Sequence, residues 1–101
     1  MQAVLEALLR PASIAVVGAS RDPAKPGGLI FRYLLDSNAR VYPVNPGAGE
    51  VHGVVCFPSV EALPEPVDLA VIATPAAAVL DVVRACVRRG VKAAIVVAGG
   101  F

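Results

Sequence analysis

The residues with the most chemical potential cluster where apolar runs end. Ser13-Ile14-Ala15-Val16-Val17 leads into Gly18-Ala19-Ser20-Arg21-Asp22-Pro23-Ala24-Lys25-Pro26-Gly27-Gly28. Glycines let a backbone approach a ligand closely. Ser20 offers a hydroxyl donor, and Arg21 and Lys25 bring positive charge. Free N–H groups in such a turn, and at the start of a helix after it, attract anions. The stretch reads as a phosphate site. The plainer alternative is a solvated loop whose glycines only permit the turn.

Three further apolar runs end in small or turn-forming residues: Val44-Asn45-Pro46, Ala73-Thr74-Pro75 and Ala98-Gly99-Gly100. In open parallel sheets, ligands bind beyond the carboxyl ends of the strands. Four such ends together carry more information than any single motif. Elsewhere the chemistry is sparse. His52, the single histidine, sits in a glycine-rich loop with only Glu50 nearby. General acid–base work needs a positioned partner, so a solvated loop histidine is the simpler reading. Cys56 and Cys86 stand far apart and outside any CxxC pattern. They read as small core residues, which argues against a disulfide scaffold or a zinc site. Arg84, Arg88 and Arg89 read as the wet face of a helix.

The elements that position these residues follow from periodicity. Val4, Leu5, Leu8 and Leu9 recur at helical spacing until Pro11. A strand over 13–17 precedes the glycine-rich loop. Leu29, Ile30, Tyr33 and Leu34 recur at helical spacing, with Asn38 as a left-handed stop. A second strand spans 40–44, a short one falls within 54–57, and Ser59 caps a brief helix reaching Leu63. A strand over 68–73 precedes Thr74-Pro75, read as N-cap and first helical residue. That helix runs to about Arg89, before Gly90, and a last strand spans 92–97. The strand runs are nearly continuous in apolar residues, as expected of strands buried on both faces. The order predicts an α/β fold: one domain, a doubly wound parallel sheet of Rossmann-like type with right-handed crossovers.

Composition bounds the rest. In 101 residues, 56% are hydrophobic, 17% charged, and the mean hydropathy is +0.69, which excludes a disordered chain. The apolar excess fits buried strands, packing against further domains, or both. A net charge of +1, without a basic run, leaves no footprint for nucleic acid. No apolar run approaches the ~20 residues of a membrane helix. The first ten residues do not form a secretory signal, so the expected location is cytoplasmic.

NAD is the obvious ligand for such a fold, but two features oppose it. The first loop is not GxGxxG, and the second strand ends in Asn45-Pro46 rather than in an acid for a ribose diol. A phosphorylated ribose tolerates that absence, and coenzyme A carries a 3′-phosphate.

Several segments carry a resemblance in order and spacing: Leu9 to Ser20, Val41-Tyr42-Pro43-Val44-Asn45-Pro46, Val67 to Ile72, and Gly90 to Ala94 before Gly100-Phe101. Together they resemble the CoA-binding domain of NDP-forming acyl-CoA synthetases. That group includes ADP-forming acetate–CoA ligases, related lysine acetyltransferases and, more distantly, the succinyl-CoA synthetase α subunit. The resemblance implies a Rossmann-like domain with coenzyme A as cofactor. It places Gly18, Ala19, Ser20, Arg21 and Lys25 by the CoA phosphates. Val44, Asn45 and Pro46 fall by the adenosine, and Thr74, Pro75, Ala98, Gly99 and Gly100 along the pantetheine arm. It implies no catalytic residue and no metal ligand here. Residues 1–101 become the N-terminal CoA-binding domain of a larger chain, whose other synthetase domains lie in cis or on a partner subunit. Two departures stand out. The family's polar residue after Gly-Phe lies past Phe101, and Ala48 stands where the succinyl-CoA synthetase pattern has lysine. Two other readings stay open: a stand-alone CoA- or nucleotide-binding regulator, and an NAD(P)-binding redox domain.

Overall fold

The computed structural model describes residues 2–47 and 49–97. The elements, in chain order, are α1 Gln2–Leu9, β1 Ser13–Val17, α2 Pro26–Leu34, β2 Arg40–Val44, β3 Glu50–Val51, β4 Val54–Val55, a 3-10 turn Val60–Ala62, β5 Leu69–Ile72, α3 Ala76–Arg89 and β6 Ala93–Val96. Four strands form one sheet in the order β2-β1-β5-β6, and every neighbouring pair is parallel. The expected parallel α/β sheet is present.

Every residue of the central strands β1 and β5 is buried. A strand points successive side chains to opposite faces, so β1 feeds two cores. Ala15 and Val17, with Ala70 and Ile72, face α3 through Val79, Val82, Val83, Ala85 and Cys86. Ile14 and Val16, with Leu69 and Val71, face α2 through Ile30, Phe31 and Leu34. Burying a side chain such as Phe31 or Ile72 contributes about 1.5–3 kcal/mol, and both are fully buried. From the sheet centre, one crossover leads through α2 to β2 and the other through α3 to β6. The order reverses between β1 and β5, and a crevice opens at such a switch point.

Several local expectations need correction. Helix α2 ends at Leu34 with Leu35 in a right-handed cap, so Asn38 is not its left-handed stop. The amides of Asp36 and Ser37 instead close on the carbonyls of Tyr33 and Leu34. Pro75, not Thr74, is the N-cap of α3. The stretch 54–57 splits: Val54–Val55 pairs antiparallel with Glu50–Val51, while Phe57 bridges Val44 in parallel. The pairing is invisible to periodicity because two-residue strands carry no period. The 3-10 turn is capped as expected, with Ser59 Oγ accepting from the amide of Ala62 at 3.3 Å. Gly90 ends α3 in the left-handed conformation, and Val4, Leu5, Leu8 and Leu9 of α1 are exposed.

The amino ends of the strands are clamped by charge. Arg40 grips both carboxylate oxygens of Glu65 at 2.8 and 3.0 Å, and the Tyr42 hydroxyl donates to the same group. Asp68 accepts from the Ala12 amide at 2.9 Å and pairs with Lys92 at 3.2 Å. These contacts fasten the end of the sheet away from the crevice.

Candidate functional site at the switch point

The crevice is a groove of about 870 Å3, within the range of small-molecule sites. Its upper wall is made by the carboxyl ends of β1, β2 and β5. Glycines set how close those ends come. A methyl on Gly18 would stand 2.7 Å from the carbonyl oxygen of Ala73, and one on Gly27 would run into the carbonyl of Gly18. One on Gly28 would meet the carbonyls of Asp22 and Ser20. The loop therefore folds down on the start of α2, and its glycines serve this packing as well as the turn.

Inside the loop, Ser20 Oγ accepts from the amide of Asp22 at 3.0 Å, and Asp22 Oδ1 accepts from the amide of Ala24 at 2.9 Å. The Lys25 amide closes on the Asp22 carbonyl. Ser20 keeps its own hydroxyl hydrogen to donate. Among the described residues, the amides of Ser20 and Arg21 take no partner. Lys25 is the N-cap of α2, makes no side-chain cap, and lines the groove beside the positive end of the helix.

Gly18, Ser20, Lys25, Val44, Asn45, Pro46, Thr74 and Pro75 all line the groove. Ala19 and Arg21 do not. Ala19 is fully buried, and its carbonyl accepts from Asn45 Nδ2 at 2.9 Å. Arg21 reaches to the hairpin, where Nε donates to the carbonyl of Glu50 at 2.9 Å. Ala98, Gly99 and Gly100 lie outside the described residues. Asn45 uses both ends of its amide, since Oδ1 accepts from the Gly47 amide at 2.9 Å.

Thr74 Oγ1 is buried without a hydrogen-bond partner among the described residues. Buried polar atoms are nearly always paired, so an orphan at a groove wall points to a missing partner. The residue sits just before α3, whose first turn lines the same groove through Ala76 and Ala78. The N-cap has no side-chain bond; the Ala78 amide closes on the Pro75 carbonyl, and among the described residues the amides of Ala76 and Ala77 take no partner. Two helix starts, one ammonium and two hydroxyls thus converge on one space. That arrangement suits a phosphorylated ligand with amide or hydroxyl groups along its length.

Sequence reasoning missed the lower wall. It is built by Pro58 to Glu61 on one side and by Asp81, Val82, Ala85 and Arg88 of α3 on the other. The helical spacing of the α3 residues was legible, but not which face would meet the 3-10 turn. The thiols do not join the site: burial pushes both Cys56 and Cys86 up from the ordinary thiol range. Among the described residues, no three His, Cys, Asp or Glu side chains gather to hold a metal ion. No described helix is long and apolar enough to cross a membrane.

Residues 12–101 match the CoA binding domain family. The chain belongs to that family. This CoA-binding domain is 41% identical over 99 residues to the ADP-forming acetate–CoA ligase II of Archaeoglobus fulgidus, covering 96% of this chain and 15% of that protein. It is 39% identical to the α subunit of the ADP-forming acetate–CoA ligase II of Pyrococcus furiosus, covering 97% of this chain and 22% of that one. Among solved structures, the domain superposes on the dinucleotide-forming acetyl-coenzyme A synthetase 1 of Ca. Korarchaeum cryptofilum, in complex with phosphate and ADP, with a TM-score of 0.89 and 48% identity. That match covers 96% of this chain and 21% of the synthetase. The domain thus spans 15% of the ligase named, 21% of the synthetase and 22% of the α subunit. It corresponds to the CoA-binding domain of ADP-forming acyl-CoA synthetases, and its ligand class is coenzyme A.

Proposed function

We propose that this domain holds coenzyme A for an ADP-forming acyl-CoA synthetase, in which acid, CoA and ATP give acyl-CoA, ADP and phosphate. The observation carrying the reading is the convergence of Lys25, Ser20 with its open amide, and the unpaired Thr74 hydroxyl in one groove. The Ser20 hydroxyl and amide and the Lys25 ammonium receive the phosphates. Asn45 and Pro46 flank the adenosine. Thr74 and Pro75 border the pantetheine arm, whose amides offer the Thr74 hydroxyl its partner. The role of this chain is binding and orientation. Activation of the acid and phosphoryl transfer need positioned ATP phosphates and a nucleophile, and these belong to the other domains or to a partner subunit.

Calorimetry with CoA, 3′-dephospho-CoA and NAD tests the reading. CoA should bind most tightly, and added salt should narrow its lead over dephospho-CoA, because exposed charges are screened. Ser20→Ala should weaken CoA by about 0.5–1.5 kcal/mol, one ordinary hydrogen bond. Equal or tighter NAD binding would overturn the assignment. ATP turnover by the purified chain with acetate and CoA would overturn the division of labour.

A further inference from the structure

The two ends of the groove differ in charge. At the strand ends stand Lys25 and open backbone amides. At the far end, along α3, stand Glu61, Asp81 and Arg88. Between them the lining is apolar, contributed by Val60 of the 3-10 turn and by Val82 and Ala85 of α3. An anion is drawn to the first end, whereas at the second the carboxylates are already paired, Glu61 with Arg88 at 3.0 Å and Asp81 with Arg84 at 3.9 Å. A nucleotide in this groove therefore lies with its phosphates near Lys25 and its base toward the lower wall.

We propose that the Glu61–Arg88 pair reads the edge of the adenine base. The proposal rests on the CoA reading and adds which residues select the base. Arg88 donates from one terminal nitrogen to Glu61 Oε2 at 3.0 Å. That contact uses one carboxylate oxygen and one of the two terminal guanidinium nitrogens. Glu61 Oε1 remains an acceptor, and the guanidinium keeps further N–H donors beside it. The pairing edge of adenine presents an amine donor next to a ring-nitrogen acceptor. An acceptor and a donor held side by side match that edge, in the manner of proteins that hold a base between apolar walls and bond its edge. The pair is half-exposed at the groove rim, so a base can reach it without displacing the core. Hydrogen bonding to Arg88 also holds the Glu61 carboxyl below its ordinary range, which keeps the acceptor ionised at neutral pH.

The test compares CoA with its deaminated analogue, in which hypoxanthine replaces adenine and a carbonyl replaces the amine. The unaltered chain should prefer CoA by about three- to tenfold, the size of one ordinary hydrogen bond. In Glu61→Gln an amide can present a donor where the carboxylate only accepts, so the preference should collapse or reverse. The ratio of affinities is the readout. Loss of a merely structural ion pair would weaken both coenzymes together and leave the ratio unchanged. An unchanged ratio in Glu61→Gln, or equal binding of both coenzymes by the unaltered chain, overturns base reading and leaves the CoA assignment standing. Failure of the unaltered chain to bind CoA overturns both.

Discussion

Asn45 Nδ2 donates to the carbonyl oxygen of Ala19 over 2.9 Å, tying the end of β2 to the first turn after β1. The other end of the same amide accepts from Gly47. In dinucleotide folds this strand end carries the acid that holds a ribose diol. Here the side chain is committed to the backbone on both sides of the crevice.

An acid at this position should therefore harm the fold without creating an NAD site. Asn45→Asp removes the donor and sets a carboxylate against the Ala19 carbonyl. Leaving such a group unpaired costs about 1–3 kcal/mol. Urea denaturation should show the loss, and calorimetry should show no gain in NAD affinity. An unchanged midpoint would mean that the Asn45 bridge contributes nothing.

The glycines of the first loop are packing positions, unlike Gly49 between β2 and β3. Gly27→Ala drives a methyl into the Gly18 carbonyl, whereas an added methyl at Gly49 meets nothing within 4 Å. Overpacking costs about 1–3 kcal/mol, and more where backbone must move. Gly49→Ala should stay within about 0.5 kcal/mol, as open surface changes do. Thermal unfolding of the two variants checks the contrast, and similar losses in both would contradict it.

Thr74→Val should split stability from binding. The hydroxyl has no partner among the described residues, so an isosteric methyl should cost the fold nothing and relieve an unpaired polar atom. With CoA bound, the missing donor should lower affinity by about 0.5–1.5 kcal/mol. Unfolding and calorimetry on the same preparation read both effects. Lost stability with intact CoA affinity would assign the hydroxyl to the scaffold alone.

The Arg40–Glu65 clamp predicts a pH dependence. Hydrogen bonds from Arg40, and then from Tyr42, hold the Glu65 carboxyl at about 2 rather than at its ordinary 4.5. A carboxyl lowered in the fold stabilises it above the unfolded value and loses that contribution as pH falls through the folded one. The stability from Glu65 is thus complete above about 4.5 and fades toward pH 2. Asp68 is lowered too, chiefly by the Ala12 amide, so it adds to the same trend. Denaturant midpoints between pH 6 and 2 should converge for the unaltered chain and Glu65→Gln. Parallel curves would show that the clamp does not titrate as argued.

Much of this architecture was legible in the residues. Ser13–Val17 and Leu69–Ile72 are continuous apolar runs, and only strands buried on both faces need such runs. Gly90 after Arg88 and Arg89 marked the end of α3, because an αL cap needs glycine there and cations oppose the helix dipole. The strand ends that line the groove were readable for the same reason: parallel strands all present their carboxyl ends at one edge. What periodicity does not encode is which distant groups meet. Arg21 looked like a phosphate ligand by sequence position, yet its side chain spans 29 residues to the Glu50 carbonyl. The Glu61–Arg88 pair joins residues 27 apart, and only the docking of the 3-10 turn on α3 brings them to one rim. Even the α2 stop shifted, from Asn38 to Leu34, because main-chain bonds from Asp36 and Ser37 closed the helix before the asparagine. Local chemistry therefore decided the elements and their order. Packing across the sheet decided which polar groups were spent on the scaffold and which, like the Thr74 hydroxyl, take no partner among the described residues.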